Sequence, residues 1–292
     1  MEFKEELKKR ANEIEQELKK YVRKEDVPEQ KLNEAVEYSL MAGGKRLRPI
    51  LMLEVYRLFA NDVEVVMPFA VAMEMLHNFS LIHDDLTGID NDDFRHGKPT
   101  NHKQFGEATA ILAGDSLFNQ AYLVIAKSMQ QDINTHKTKA FYEFVSAADK
   151  MIIGEYVDTE FEGKPISQDY LEYIHKNKTA ALLKGSLRIG AILANAPEED
   201  LETLTNYAEK IGLAFQIRDD ILSEIGDEKV LGKPVGNDKE RNKCTYVTKY
   251  GLEQAKKMLH DITNEAVEIA RQYKEKGKFL EEFAIFIEKR DK

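Results

Sequence analysis

The sequence predicts an all-α chain, and three observations carry that prediction. Apolar residues recur at helical, three- and four-residue steps along most of the 292 residues. Gly and Pro number only 16 and 7, while Ala, Leu, Glu and Lys are plentiful, a composition that favours helix. No segment shows a convincing period-two strand pattern, and no dinucleotide-binding or P-loop glycine pattern is present. No Pro/Ser-rich linker divides the chain, so a single domain of about ten helices spanning 1–292 is expected.

The elements follow in order. Phe3, Leu7, Ile14, Leu18 and Tyr21 outline an amphipathic helix, and Pro28-Glu29 open a second that Gly43-Gly44 end. Pro49 starts a third, from Ile50 to Ala60. From about Val65 to His83 the pattern is apolar nearly all round (Phe69, Val71, Met73, Met75, Leu76, Phe79, Ile82), which marks a central helix. Similar apolar helices are predicted over 106–131 and 137–162, with further ones over 168–175, 178–195, 197–225, 252–275 and 279–290. The long irregular stretches, 84–105 and 225–244, each follow an Asp pair.

The net charge of −10 argues against nucleic acid as a partner, because phosphate-backbone binding needs a basic face. It leaves room for a polyphosphate substrate bridged by metal ions. The single cysteine, Cys244, excludes an internal disulfide and a thiolate metal site, and fits a reducing cytoplasm. The N-terminus lacks the apolar core of a signal peptide, and no uncharged run approaches the ~20 residues a membrane span needs. A cytoplasmic protein is expected.

The chemistry concentrates in acidic and basic clusters. Asp84, Asp85, Asp90, Asp92 and Asp93 hang from the end of the apolar helix, and Asp219-Asp220 sit in a similar setting downstream. Carboxylates that end apolar helices cannot be buried unpaired, so two such clusters suggest a charge-compensated cavity suited to Mg²⁺ and a phosphorylated ligand. Gly88 would let the chain bulge so that Asp84 and Asp90 face one ion; a solvated acidic loop is the plain alternative. At the second cluster the position one turn beyond Asp219 is Ser223, not a carboxylate, and alone this pair reads as a solvated helix face. Gly43-Gly44-Lys45-Arg46-Leu47-Arg48-Pro49 forms a candidate anion nest for a diphosphate. Its alternative is a cation pair on a helix dipole, worth only ~0.3–1 kcal/mol. Arg95 and Lys98 flank the first Asp cluster, and Lys233, Lys239 and Lys243 follow the second. His83-Asp84 also matches the dyad of HD-type phosphohydrolases, although His77, six residues earlier, falls on another helix face.

Taken together these residues resemble a short-chain trans-isoprenyl diphosphate synthase, of the bacterial farnesyl diphosphate synthase type. The resemblance rests on Gly43-Gly-Lys-Arg-Leu-Arg-Pro49, Asp84-Asp-x4-Asp90, Gly97-Lys-Pro-Thr-Asn101, Ala113-Gly-Asp115, His175-Lys-Asn-Lys-Thr179, Phe215-Gln-Ile-Arg-Asp-Asp220 and Leu231-Gly-Lys-Pro-Val-Gly236, in that order over nearly the whole chain. It implies the isoprenoid synthase fold, helices around a deep central cavity, and a homodimer. It also implies ionisation of an allylic diphosphate assisted by three Mg²⁺ ions, with Mn²⁺ able to substitute, followed by attack of isopentenyl diphosphate.

By the same resemblance Asp84, Asp90 and Asp219 would hold the metals, supported by Asp85. Gly44, Lys45, Arg48, His77 and His96 would hold isopentenyl diphosphate. Arg95, Lys178, Thr179, Phe215, Gln216 and Lys233 would hold the allylic substrate, with Arg95, Lys178 and Lys233 acting in catalysis. Phe79, five residues before Asp84, would close the product tunnel at C15, with small Ser80 adding no barrier and Phe118 contributing. Three positions depart from the family pattern: His96 stands where a second Arg is usual, Ser223 replaces the third Asp of the second motif, and Thr87-Gly88 replaces a Pro-containing turn. Reduced affinity for isopentenyl diphosphate is expected. The rivals are a geranylgeranyl diphosphate synthase, separated mainly by Phe79; a weakly active or non-catalytic subunit of a heteromer; and a class I terpene cyclase, which has no use for Lys45 and Arg48.

Overall fold

The computed structural model describes residues 2–23, 27–164, 166–225 and 245–290, the side chain of Gln168 excepted. As expected, it is helical almost throughout. Its contacts divide it into two compact units, one of residues 1–53 and 62–141, the other of 54–61 and 142–292.

The first unit contains α1 (Glu2–Lys19), α2 (Gln30–Leu40), most of the first turns of α3 (Leu47–Phe59), α4 (Met67–Asp84), α5 (Asn101–Phe105) and α6 (Glu107–Gln131). The apolar stripe of α1 buries Leu7, Ala11, Ile14 and Leu18, the spacing its sequence set. Helix α4 buries residues on every side, Phe69 to Leu76 without a break, and packs most extensively on α6. Each such side chain removed from water contributes about 1.5–3 kcal/mol, so α4 is fixed firmly and so is the Asp cluster at its end. Helix α3 starts two residues before Pro49, which lies in the first turn, where its missing N–H costs no helical bond.

The predicted irregular stretch 84–105 is more ordered than expected. It holds α5 and a two-stranded hairpin, β1 (Phe94–Arg95) antiparallel to β2 (Lys98–Pro99). The hairpin turn is His96-Gly97, both with positive φ (51° and 75°), the geometry of a tight primed turn. Two-residue strands are too short to show a period.

The second unit carries most of α7 (Thr135–Glu160), then α8 (Gln168–Ile174), a π-helical turn (His175–Thr179), α9 (Ala180–Leu193), α10 (Glu198–Ile225), α11 (Tyr246–Tyr250), α12 (Leu252–Arg271), a 3₁₀ turn (Lys274–Gly277) and α13 (Lys278–Lys289). Helix α10 is central, packing on α9, α12 and α13. The sequence pattern gives two helices meeting near 175–178; the structure joins them through the π turn, where the chain gains one residue per turn. Gly154 of α7 makes that turn possible, since a Cβ there would lie 2.2 Å from the Lys178 amide nitrogen. Among the described residues no helix is long and apolar enough to cross a membrane.

Candidate active site

In the first unit the cations converge at the α2–α3 junction. Arg46, in left-handed conformation (φ 50°), turns inward: its guanidinium donates to Glu74 at 2.7 Å and to the carbonyl of Leu40, the last residue of α2, at 2.7 Å. Of the three cations expected in the nest, this one is occupied holding the loop. Arg48 is different. Among the described residues it makes no hydrogen bond, and its Nε is buried without a partner. Burial pushes its pKa down to about 10, with Glu74 opposing. A desolvated guanidinium without an acceptor is unfavourable, and an anion supplies what is missing.

His77 and His96 belong to the same cluster. The His77 imidazole is held well below its usual pKa by burial, then by Arg48, Arg95, Arg46 and His96. His96, at the hairpin tip, is lowered by burial and by Arg95 and Arg46, with Glu74 opposing. A Cβ on Gly44 would lie 4.0 Å from His96 Nε2, so the glycine loop and the hairpin meet here. Both imidazoles are therefore neutral near pH 7 in the unliganded protein.

The first Asp cluster is built by the end of α4. The Asp90 amide donates to the Asp84 carbonyl at 2.9 Å, which brings these residues together across a six-residue turn. Gly88 does not use a positive φ, and open space surrounds it, so the turn owes its closure to backbone hydrogen bonds and to Asn91 (φ 51°) instead. Asp84 and Asp90 are half-buried, whereas Asp85 is buried and accepts from Arg95 Nε at 2.8 Å and Nη2 at 2.6 Å. Burial raises the Asp85 pKa and Arg95 opposes it. The two adjacent carboxylates thus have separate environments: Asp85 fixes Arg95. Asp93 pairs with Lys103 at 2.7 Å on the surface.

Phe79 starts an aromatic ladder. Its ring centroid lies 4.7 Å from His83 and 4.9 Å from Phe118, which in turn lies 5.0 Å from Tyr122. Ser80 donates to the His77 carbonyl at 2.9 Å. His83 sits against the Ile111 carbonyl at 3.1 Å while His77 sits among the cations, so the two histidines do not form an HD-type ligand set.

In the second unit a cavity of about 320 Å³ is lined by Lys178, Thr179, Gln216, Asp219, Asp220 and Ser223, among others. Lys178 donates to Asp158 at 2.6 Å and to Glu155 at 3.0 Å. Burial works to lower its pKa, but these carboxylates more than offset it, and Lys178 stays charged. Thr179 donates to Gln216 Oε1 at 3.2 Å, Gln216 donates to Asp220 at 2.9 Å, and the Tyr246 amide donates to the other Asp220 oxygen at 2.7 Å. Asp220 is thus buried and spent on positioning, both oxygens engaged, whereas Asp219 lines the same cavity half-exposed. Phe215 stacks beneath the guanidinium of Arg290, 3.9 Å from its ring centroid. Lys233, with Lys239 and Lys243, lies outside the described residues.

Sequence reasoning did not find Glu155, Asp158 or Arg290. The spacing Gly154-Glu155-x-x-Asp158 puts both carboxylates on one stretch of helix, a usable signal. Arg290, 71 residues from Asp219, carries none.

Residues 29–282 match the polyprenyl synthetase family. The chain belongs to that family. It is 44% identical over 263 residues to a farnesyl diphosphate synthase of Bacillus subtilis, covering 89% of this chain and 88% of that one. A geranylgeranyl pyrophosphate synthetase structure from Pyrococcus horikoshii superposes with a TM-score of 0.89 at 31% identity, covering 99% and 98% of the two chains. A geranyltransferase from Helicobacter pylori, complexed with magnesium and isoprenyl diphosphate, superposes with a TM-score of 0.83 at 28% identity, covering 96% and 94%.

The donor set suits the Mg²⁺ on which this family depends. Among the described residues no three His, Cys, Asp or Glu side chains gather into a site of their own. Mg²⁺ is commonly bound through one or two carboxylates, with substrate phosphates and water completing the octahedron, and half-buried Asp84 and Asp90 in the first unit, and half-buried Asp219 in the second, are carboxylates of that kind.

Proposed function

We propose that this polyprenyl synthetase makes farnesyl diphosphate, condensing isopentenyl diphosphate with dimethylallyl or geranyl diphosphate. The observation that carries the reading is Arg48, a half-buried arginine whose Nε is buried without a partner beside His77, Arg95 and His96, in a chain so similar to a farnesyl diphosphate synthase. Arg48 and Lys45 bind the diphosphate of isopentenyl diphosphate, with Gly44 leaving room for it and His77 and His96 adding neutral donors. Arg95, oriented by its bidentate bond to Asp85, and Lys178, held by Asp158 and Glu155, clamp the allylic diphosphate, together with Gln216 and Lys233.

Asp84, Asp90 and Asp219 would hold Mg²⁺, three ions in all, with Mn²⁺ able to substitute, and the metal would supply neutralisation of the charge that develops on the leaving diphosphate. As the allylic C–O bond breaks, the neutral oxygens of Thr179 and Gln216 face the cation without capturing it. The isopentenyl double bond then forms the new C–C bond, and the proton it sheds passes to the departing diphosphate. No carboxylate is free to quench the cation from within the Thr179–Gln216–Asp220 chain, because Asp220 is engaged at both oxygens.

The Phe79–Phe118 ladder supports a C15 product over the C20 of the rival geranylgeranyl diphosphate synthase. Residues 1–292 act as one polyprenyl synthase domain, a reading supported by the family match running through both units. The exposed Ile111, Leu112 and Leu123 of α6, and Tyr142, Ile152, Ile153 and Tyr156 of α7, fit burial against a second copy of the chain, and a cytoplasmic homodimer is the assembly we favour.

Labelled isopentenyl diphosphate offered with C5, C10 and C15 primers, with and without Mg²⁺, tests the reading. Mg²⁺-dependent C15 product from the purified chain alone supports it and removes the heteromer rival; no incorporation with any primer refutes it. In the same assay Phe79→Ala should shift product to C20, and an unchanged C15 product would remove Phe79 from the argument.

A further inference from the structure

We propose that Arg290, one residue past α13, is a positioning residue that clamps one oxygen of Asp219 so that the other is presented as a metal ligand. The inference rests on the reading of Asp219 as a Mg²⁺ ligand and adds a residue that neither the motif pattern nor the family likeness supplied.

Arg290 is almost wholly buried, 3% exposed. Its Nη2 donates to Asp219 Oδ1 at 2.5 Å and to the Phe215 carbonyl at 3.1 Å, and its guanidinium lies over the Phe215 ring. Its own carbonyl accepts from Nε and Nη2 of Arg218 at 2.9 and 2.5 Å. Phe215, Arg218 and Asp219 share one stretch of α10, so the last described residue of the chain is fastened at several points to the helix that carries the metal carboxylate.

Asp219 is held on one side only. Its side chain is 43% exposed and lines the cavity, and among the described residues its second oxygen has no hydrogen-bond partner. A carboxylate free to rotate loses entropy when it takes a monodentate role; one already fixed through its other oxygen does not. Partners that orient a ligating carboxylate in this way commonly contribute 10–100-fold in metal affinity. The competing reading makes Arg290 a counter-ion that metal must displace. Burial, the ring beneath it and the Arg218 bonds all oppose its departure, and the two readings predict opposite signs.

The test is Mn²⁺ binding to the full-length protein with inorganic diphosphate present, followed by electron paramagnetic resonance, with thermal melting as a check on folding. Arg290→Gln should weaken Mn²⁺ binding by about 10-fold or more, and Arg290→Lys should recover part of the loss. In an Asp219→Asn background Arg290→Gln should add nothing further. Unchanged or tighter binding by folded Arg290→Gln overturns the inference while leaving Asp219 a ligand. If Asp219→Asn binds Mn²⁺ as well as the unaltered protein does, the reading of Asp219 fails and the inference with it. Should Arg290→Gln not fold, Phe215→Leu removes the ring and keeps both charges; it should weaken Mn²⁺ binding in the same direction, and no change would overturn the proposal.

Discussion

The Arg48 cluster of the first unit and the Lys178 cavity of the second both mix cations with carboxylates, yet they leave opposite charges unsatisfied. Around Arg48 the carboxylates are turned to other cations: Glu74 Oε1 holds Arg46, with its Oε2 buried and unpartnered, and Asp85 holds Arg95, while half-buried Arg48 keeps a buried Nε with nothing to donate to. Among the described residues around the cavity the cations are engaged: Lys178 serves two carboxylates and Arg290 is bound to Asp219, whose second oxygen is open. On the proposed function, the first region would receive an anion and the second a cation. The same residue types serve both, so the difference lies in which partner is left over, a property of packing that composition cannot report.

The largest expected effect breaks this comparison from the anion side. Arg48→Gln should raise KM for isopentenyl diphosphate about 100-fold, the loss of one or two charge-assisted hydrogen bonds of about 1.5–3 kcal/mol each. It should also leave the fold as stable as before or more so, because it removes a half-buried charge whose Nε has no partner. A large fall in thermal stability with KM unchanged would show that Arg48 is a structural cation like Arg46, and the contrast between the regions would collapse.

The sequence made much of this legible, for identifiable reasons. Helix α4 was readable because a helix apolar on every face has one place to go, and its end carried the Asp cluster with it. The gathering of cations at the α2–α3 junction was readable because Gly43-Gly44 breaks the chain between two helices immediately before Lys45, Arg46 and Arg48. What stayed hidden was division of labour. Nothing in Asp84-Asp85 says that the second turns inward to Arg95, nor in Asp219-Asp220 that the second is spent on Gln216 and Tyr246. Those choices depend on contacts 10 and 26 residues away. The π turn was hidden as well, because the close approach it makes is allowed by Gly154 on another helix.

A smaller effect separates the regions by pH. In the second unit His175, stacked on Tyr246, has its pKa lowered to about 4 by burial and by Lys178, with Asp158 opposing. The unfolded chain binds that proton near pH 6.5, so the folded state is favoured above pH 6.5 and loses stability as pH falls towards 4. The loss is on the order of 2–3 kcal/mol, and Asn at this position should flatten that part of the profile in chemical denaturation. His77 is depressed in the same direction, but partly by neighbouring cations. With no divalent metal present to bridge it to Asp219, inorganic diphosphate should therefore raise the His77 pKa, read by NMR, and leave His175 where it is. A shift of both would mean that the second region also takes the anion without metal, and the contrast between the regions would fail.

The smallest effect sharpens the anion side. His96 sits at a turn with φ 51° and is kept neutral by burial and by Arg95 and Arg46, so it offers a diphosphate one hydrogen bond and no net charge. His96→Arg supplies a permanent, forked cation at the same tip. Its cost is the left-handed backbone, which His already bears, and added repulsion with Arg95, which Asp85 already neutralises. KM for isopentenyl diphosphate should fall about 5- to 10-fold, with kcat nearly unchanged, because the added contact holds ground state and transition state alike. If KM does not move, the hairpin tip is not part of the anion site, and the cluster that receives the diphosphate reduces to Lys45, Arg48 and His77.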